Sequence, residues 1–283
     1  MESCGRKGSR NVTDAKAMEQ AHRAYRHCLL CEHRCGVNRE AGERGFCRAT
    51  TAARVYRHRV EYGEELELVP SQLLYLSGCN LRCAFCIGEE DAFDPGRGIL
   101  LTKQLVYELM TAGRAQGAQH VQWVGGEPTI HLPMILEAMT GCPDPLRVVW
   151  KSNFYGTIEG FALLDGMVDV YVADFKFGND ACAREIAGVN DYVRVVTRNM
   201  LLAVEKSRLI VRHLLLPGHF DCCYRPIVNW MHQHLVSIPF RIMTGYLPRW
   251  RAGRHPELAM PLRREVEAEA VTIARQKGLH VIG

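Results

Sequence analysis

From Gln72 onward the chain alternates short apolar runs with stretches of helical period. Six runs read as buried strands: Gln72–Leu76, His120–Val124, Leu146–Trp150, Val168–Val172, Leu209–Leu216 and Ile238–Met243. Between the first two, Leu105, Val106, Leu109 and Met110 share one helical face. Thr102 stands at the N-cap of that helix and Gly117 is placed to close it. Pro133 and Pro226 suit first turns, where a missing N–H leaves nothing unsatisfied. A last helix spans about Leu262 to Lys277, stopped by Gly278. Six strand–helix alternations predict an α/β fold with a mostly parallel sheet, because each parallel pairing needs a crossover. A doubly wound open sheet and a partial barrel both fit that pattern. Ahead of it lie a polar arm (1–27), expected as loose chain or a short helix, and a Cys-rich segment (28–70). That segment ends in a strand-like stretch, Ala53–Val60, and an acidic turn from Gly63 to Glu67. The strand–helix domain occupies 71–283.

Composition narrows the function classes. At 283 residues, 47% hydrophobic and 23% charged, the chain is ordinary globular material, which excludes collagen, coiled coil and disorder. Its net charge of +4 is too small to make nucleic acid or a membrane surface the expected partner. No apolar run approaches a span of ~18 residues, and the polar start lacks a signal peptide's apolar stretch, so a cytoplasmic protein is expected.

The twelve cysteines are the anomaly. Seven fall in two groups before residue 90, and clustered thiols in a reducing compartment point to metal rather than disulfides. Cys28, Cys31, Cys35 and Cys47 offer a complete four-sulfur set for an auxiliary iron–sulfur cluster or a structural zinc, with His33 as a substitute ligand. Cys79, Cys83 and Cys86 lie within eight residues. Three sulfurs on so short a loop hold three corners of a cubane cluster and leave its fourth iron open for chemistry.

The pattern C-x3-C-x-aromatic-C, carried by Cys79, Cys83, Phe85 and Cys86, resembles the signature of the radical S-adenosylmethionine superfamily. Gly125-Gly126-Glu127-Pro128, Lys151-Ser152-Asn153, Ala173-Asp174-Phe175-Lys176 and Arg212-His213 through Pro217-Gly218 resemble its pyruvate formate-lyase-activating-enzyme-like branch. The resemblance implies a partial (β/α)6 TIM-like barrel, a 4Fe–4S cluster and S-adenosylmethionine on the open iron. It further implies one-electron reduction to a 5′-deoxyadenosyl radical, with an electron donor such as a flavodoxin or ferredoxin. Phe85 is then expected near the adenine, Gly125, Gly126 and Glu127 near the methionine amino group, and Ser152 and Asn153 at the carboxylate or ribose.

The residues agree independently, since every motif falls at the carboxyl end of a predicted strand, where parallel α/β folds gather their sites. Asp174 and Lys176 alternate, so they point the same way and can pair or reach a ligand. His213 is read as a site residue or a satisfied core histidine. Cys222 and Cys223 are candidate hydrogen-atom donors to a substrate radical, which would make the reaction an epimerisation; Cys4, Cys142 and Cys182 read as ordinary buried thiols. The stretch Thr244–His255, with Arg249, Arg251, Arg254, Tyr246 and Trp250, suits a polyol, a phosphate or a nucleotide-sugar. The acidic Ile87–Asp91 segment departs from the activating enzymes. A small-molecule substrate such as a carbohydrate, epimerised or oxidised, is therefore favoured over a glycyl-radical partner protein. A non-catalytic iron–sulfur or zinc binding protein is the reading from another class.

Overall fold

The computed structural model describes residues 15–140, 142 and 145–283. Of the expected arm, Ala15–Arg26 forms helix α1; Cys4 lies outside the described residues. The elements that follow are β1 (Arg54–Glu61), β2 (Ser71–Leu76), α2 (Glu89–Phe93), β3 (Ile99–Leu100), α3 (Lys103–Ala115), β4 (His120–Gly125) and α4 (Leu132–Met139). After them come β5 (Arg147–Ser152), α5 (Ile158–Ala162), β6 (Val170–Asp174), α6 (Asp180–Ala187), α7 (Tyr192–Lys206) and β7 (Arg208–Leu214). The chain ends with α8 (Arg225–His234), β8 (Phe240–Met243), α9 (Arg264–Gln276) and β9 (Val281–Ile282).

One nine-stranded sheet runs in the order β3-β1-β2-β4-β5-β6-β7-β8-β9. From β2 to β9 every pairing is parallel, while β1 is antiparallel to both β2 and β3. The six expected strands are β2 and β4 to β8, and the mixed α/β fold with a partial barrel holds. Because β1 joins the same sheet, the expected boundary at 70/71 runs through it. The Thr102 hydroxyl accepts the Leu105 N–H at 3.1 Å, capping α3. Gly117 follows at φ +88°, a left-handed turn that favours glycine. Among the described residues no helix is long and apolar enough to cross a membrane.

Strand alternation gives the sheet two unlike faces. The outer one, with Trp123, Trp150, Tyr171 and Leu209, packs under the helices in the main core. The inner face begins as an apolar layer, Val149, Val170, Val172 and Ile210, sealed by Leu68 from the β1–β2 connection. Two residues further along the strands that face turns ionic. Lys151 and Arg212 meet the buried Glu65 carboxylate at 2.9 and 2.8 Å, and Arg212 reaches Asp174 at 2.6 Å. The acidic turn is therefore not a solvent loop throughout: its Glu65 enters the barrel and neutralises two buried cations. Such a pair is costly to break from one side, because the partner is left as an unpaired buried charge.

Candidate active site

Cys79, Cys83 and Cys86 follow β2, the first two buried and the third half-buried. Their loop is fixed on both sides of Cys83. The Arg82 and Ala84 N–H groups donate to the Ala187 and Ile186 carbonyls at 2.8 and 2.9 Å, tying it to the end of α6. The Arg82 guanidinium donates to the Cys79 and Phe46 carbonyls at 2.7 and 2.5 Å and lies over the Phe46 ring. Burial pushes the Cys83 thiol up to about 12 and the Cys79 and Cys86 thiols up as well. Three thiols held out of water on one rigid loop need a bound cation to persist as thiolates, which is the donor set a cubane cluster requires. Phe85 is buried beside them, edge-on to Phe177 and tilted against Tyr246.

The Gly-Gly-Glu-Pro segment does something more structural than its expected ligand role. A Cβ on Gly126 would lie 1.9 Å from the Gly78 carbonyl oxygen, and one on Gly125 2.1 Å from the Leu76 nitrogen. What approaches these glycines is the backbone that leads into the cysteine loop, so they set how closely the β4 end packs on that loop. Glu127 is fully buried and already engaged. Its carboxylate accepts from the Thr129 N–H (2.9 Å), the Ser152 hydroxyl (2.8 Å) and the Asn153 N–H (2.8 Å). Burial raises its pKa against those hydrogen bonds. Ser152 also accepts the Phe154 N–H at 3.0 Å, and the Asn153 amide donates to Asn80 at 2.8 Å, inside the cysteine loop. The carboxylate and its donors thus form a brace between β4, β5 and the triplet.

Asp174 and Lys176 pair at 2.9 Å, as their alternation predicts. Burial works to raise the Asp174 pKa, but Arg212 and Lys176 beside it hold it well below the usual carboxylate range. The Lys176 charge in turn acts on the Cys83 sulfur, lowering its pKa. His213 is placed apart from this group. It alternates with Arg212 onto the outer face of β7, where one ring nitrogen meets the Phe175 carbonyl at 2.7 Å and burial pushes its pKa down to about 4. It is a neutral core histidine there, in contact with Tyr224 rather than the inner face.

The first cysteine group packs directly on the triplet loop. A His33 ring nitrogen lies 2.8 Å from the Asn80 carbonyl and its ring stacks on Phe46, so it is engaged elsewhere than as a ligand. Cys28, Cys31 and Cys47 are buried; Cys35 is exposed. The Arg39 guanidinium enters this group, donating to the Cys28 sulfur at 3.0 Å and lying 3.8 Å from that of Cys47. It is 4% exposed, and no acidic partner meets it among the described residues. A buried arginine needs an anion, and a metal–thiolate centre is a negatively charged one.

Cys222 and Cys223 sit in a π-helical turn, Phe220–Tyr224, the first exposed and the second buried. They are not a lone pair. Cys182 from the first turn of α6 lies 3.7 Å from Cys222, and His219 Nδ1 is 3.4 and 3.3 Å from the Cys182 and Cys222 sulfurs. Cys182 and His219 are the members missed in the sequence, where 37 residues separate them; the local H-x2-C-C spacing was the available signal.

A cleft of about 690 Å³ opens beside the triplet loop. Arg44 and Arg48 line it from the Cys-rich segment, Phe93 and Arg97 from the end of α2 and beyond, and Trp250 and Arg251 from the β8–α9 connection. Phe93 and Trp250 rings lie 5.5 Å apart, Arg251 covers Trp250, and the Arg251 N–H donates to the Ala84 carbonyl between Cys83 and Cys86. Arg97 is paired with Glu90, but Arg44, Arg48 and Arg251 have no acidic partner among the described residues. Of the expected covering loop, Arg249 and Arg254 do not line the cleft, and Tyr246 is buried with its hydroxyl on the Leu258 carbonyl.

A barrel whose strand ends carry a three-cysteine loop defines the class of protein. The Radical SAM superfamily model matches residues 73–231, and the chain belongs to that superfamily, whose cofactors are a 4Fe–4S cluster and S-adenosylmethionine. The chain is 36% identical over 278 residues to the uncharacterized protein MJ0674 of Methanocaldococcus jannaschii, covering 96% of this chain and 81% of that protein. It is 33% identical over 97 residues to a GTP 3′,8-cyclase of Synechococcus elongatus, which covers 34% of this chain and 28% of the cyclase. A radical SAM methyltransferase from Sphaerobacter thermophilus shares the fold, with a TM-score of 0.53 at 14% identity over 75% of this chain and 65% of that one.

Proposed function

We propose that this radical SAM enzyme takes a hydrogen atom from a small phosphate-bearing molecule, a sugar phosphate or nucleotide, bound in the arginine cleft. Cys79, Cys83 and Cys86 would hold the 4Fe–4S cluster, which with S-adenosylmethionine would supply the 5′-deoxyadenosyl radical for the abstraction. The observation that carries the substrate class is the cleft next to the triplet loop, where three arginines without acidic partners stand beside the tilted Phe93–Trp250 ring pair, while the Glu90 and Asp94 carboxylates that also line it are taken up by Arg97. Guanidinium forks suit phosphate, and a ring pair suits a base or the apolar face of a sugar. The partial likeness to a GTP 3′,8-cyclase favours the same class.

The chain's own residues have supporting roles in this reading. Glu127, Ser152 and Asn153 hold the triplet loop in one geometry against the strand ends. The ionic inner face keeps one more cation, counting Lys151, Lys176, Arg212 and Arg241, than the carboxylates of Glu64, Glu65 and Asp174, so it accepts an anionic group. Cys28, Cys31, Cys35 and Cys47 would hold an auxiliary iron–sulfur cluster, whose chemistry there would be to relay an electron from a reductant such as a flavodoxin or ferredoxin.

The test is anaerobic turnover with deuterated sugar phosphates and nucleotides, reading deuterium in 5′-deoxyadenosine by mass spectrometry. Arg48→Gln with Arg251→Gln is expected to raise KM for the substrate at least tenfold, about 1.4 kcal/mol, with kcat little changed. Label arriving only from a partner protein's glycine would replace this reading with an activase. Whether the substrate radical is epimerised depends on a free thiol facing it, and the surroundings of Cys222 and Cys223 bear on that.

A further inference from the structure

Cys182, His219, Cys222 and Cys223 converge although the first comes from the start of α6 and the other three from the β7–α8 connection. All four ligand atoms lie within 4.8 Å of one another, and among the described residues no other group of cysteine, histidine or acidic side chains closes so tightly. We infer that this quartet is a Cys3His binding site for a single zinc ion, separate from both expected iron–sulfur groups and going beyond the radical chemistry proposed above.

Spacing selects the ligand. Zinc–sulfur bonds near 2.3 Å and zinc–nitrogen bonds near 2.0 Å, at tetrahedral angles, put sulfurs about 3.8 Å apart and sulfur and nitrogen about 3.5 Å apart. The structure has 3.7 Å between the Cys182 and Cys222 sulfurs and 3.4 and 3.3 Å from them to His219 Nδ1. A cluster of several irons spreads its cysteine sulfurs further than this group allows.

The surroundings are those of a prepared metal site. The Asn179 amide donates to the Cys182 sulfur at 3.1 Å and lies 3.6 Å from that of Cys223, so it steadies two thiolates. The far nitrogen of His219 is buried with no hydrogen bond, and the Glu257 carboxylate stands 3.5 Å away. With Nδ1 on a metal, Nε2 keeps the proton and faces that carboxylate, the kind of partner that orients a ligating ring. Gly178 allows the β6–α6 and β7–α8 connections to meet, since a Cβ there would lie 2.2 Å from the Cys223 carbonyl oxygen. Four protein ligands leave no open position, so the ion clamps the rim where β6 and β7 end. Sulfurs bound to zinc carry no S–H hydrogen, which removes Cys222 and Cys223 as donors to a substrate radical.

The experiment is zinc and iron analysis of the anaerobically purified full-length protein, with zinc-edge X-ray absorption. The expected result is one zinc per chain in a three-sulfur, one-nitrogen shell, lost in Cys182→Ser/Cys222→Ser with iron unchanged. Because Cys222 is exposed, Cys222→Ser alone serves as a fold-safe variant, with an expected zinc affinity loss of at least tenfold. His219→Ala is expected to lose the nitrogen from the shell. Zinc in a four-sulfur shell, zinc unaffected by these variants, or a metal-free Cys182–Cys222 disulfide would overturn the inference. Iron content and S-adenosylmethionine cleavage are read separately, so their failure breaks the proposed function and leaves the zinc result standing.

Discussion

The triplet loop and the Cys182 quartet both gather thiols at the same rim of the barrel, yet they differ in how the chain builds them. Cys79, Cys83 and Cys86 come from one loop, are braced by Glu127 through Ser152 and Asn153, and do not close to single-ion spacing. The quartet takes ligands from the start of α6 and from the β7–α8 connection and closes to 3.7 Å or less where distances are resolved. Sulfurs held apart suit a cluster that presents an open iron; sulfurs drawn together suit one ion with nothing left to bind. One region is built to react and the other to hold.

The largest effect expected on this contrast is at the triplet itself. Cys83→Ala is expected to lower 5′-deoxyadenosine formation roughly a thousandfold, about 4 kcal/mol, while leaving zinc in the quartet. A variant that lost zinc as well would show the two regions to be one unit. Next is the brace. Glu127→Ala leaves three buried donors without an acceptor, and an expected ~4 kcal/mol loss in urea unfolding follows from that desolvation. Glu127→Gln, which keeps an acceptor oxygen, is expected to recover about half.

A smaller effect separates the ionic inner face from both thiol sites. Asp174 has a depressed pKa in the folded protein, so its contribution to stability is complete above the unfolded value near 3.9 and is lost as pH falls toward the folded one. Unfolding free energy followed below pH ~4 is expected to fall less steeply in Asp174→Asn than in the native chain. An unchanged slope would assign the acid sensitivity elsewhere. The smallest effect is at Arg39: Arg39→Met is expected to reduce metal retention at Cys28, Cys31, Cys35 and Cys47 several-fold in chelator challenge, with the quartet's zinc unaffected.

What was legible in the sequence follows the same division. The six inner strands were readable because their apolar runs are bounded by turn residues, and the triplet because its ligands are local. Two-residue strands such as β3 and β9 carry no period and are defined only by their neighbours. The acidic turn gave no sign that Glu65 would enter the barrel, because the cations that bind it, Lys151 and Arg212, lie more than 80 residues away. Glu127 was singled out as a ligand-side residue, whereas its three hydrogen bonds turn it inward. His213 alternates to the outer face, a placement that register alone decides. Cys182 looked ordinary because its partners are supplied by a later connection. Local spacing is visible in a sequence, and convergence from distant loops is not.

Radical chemistry belongs to the open corner of the triplet's cluster. It is tested most directly by reconstituting the full chain anaerobically with iron and sulfide, adding dithionite and S-adenosylmethionine, and quantifying 5′-deoxyadenosine. 5′-Deoxyadenosine is expected to form in amounts that depend on Cys79, Cys83 and Cys86 and rise with a phosphate-bearing substrate. A chain that holds its iron, binds S-adenosylmethionine and forms no 5′-deoxyadenosine would contradict it.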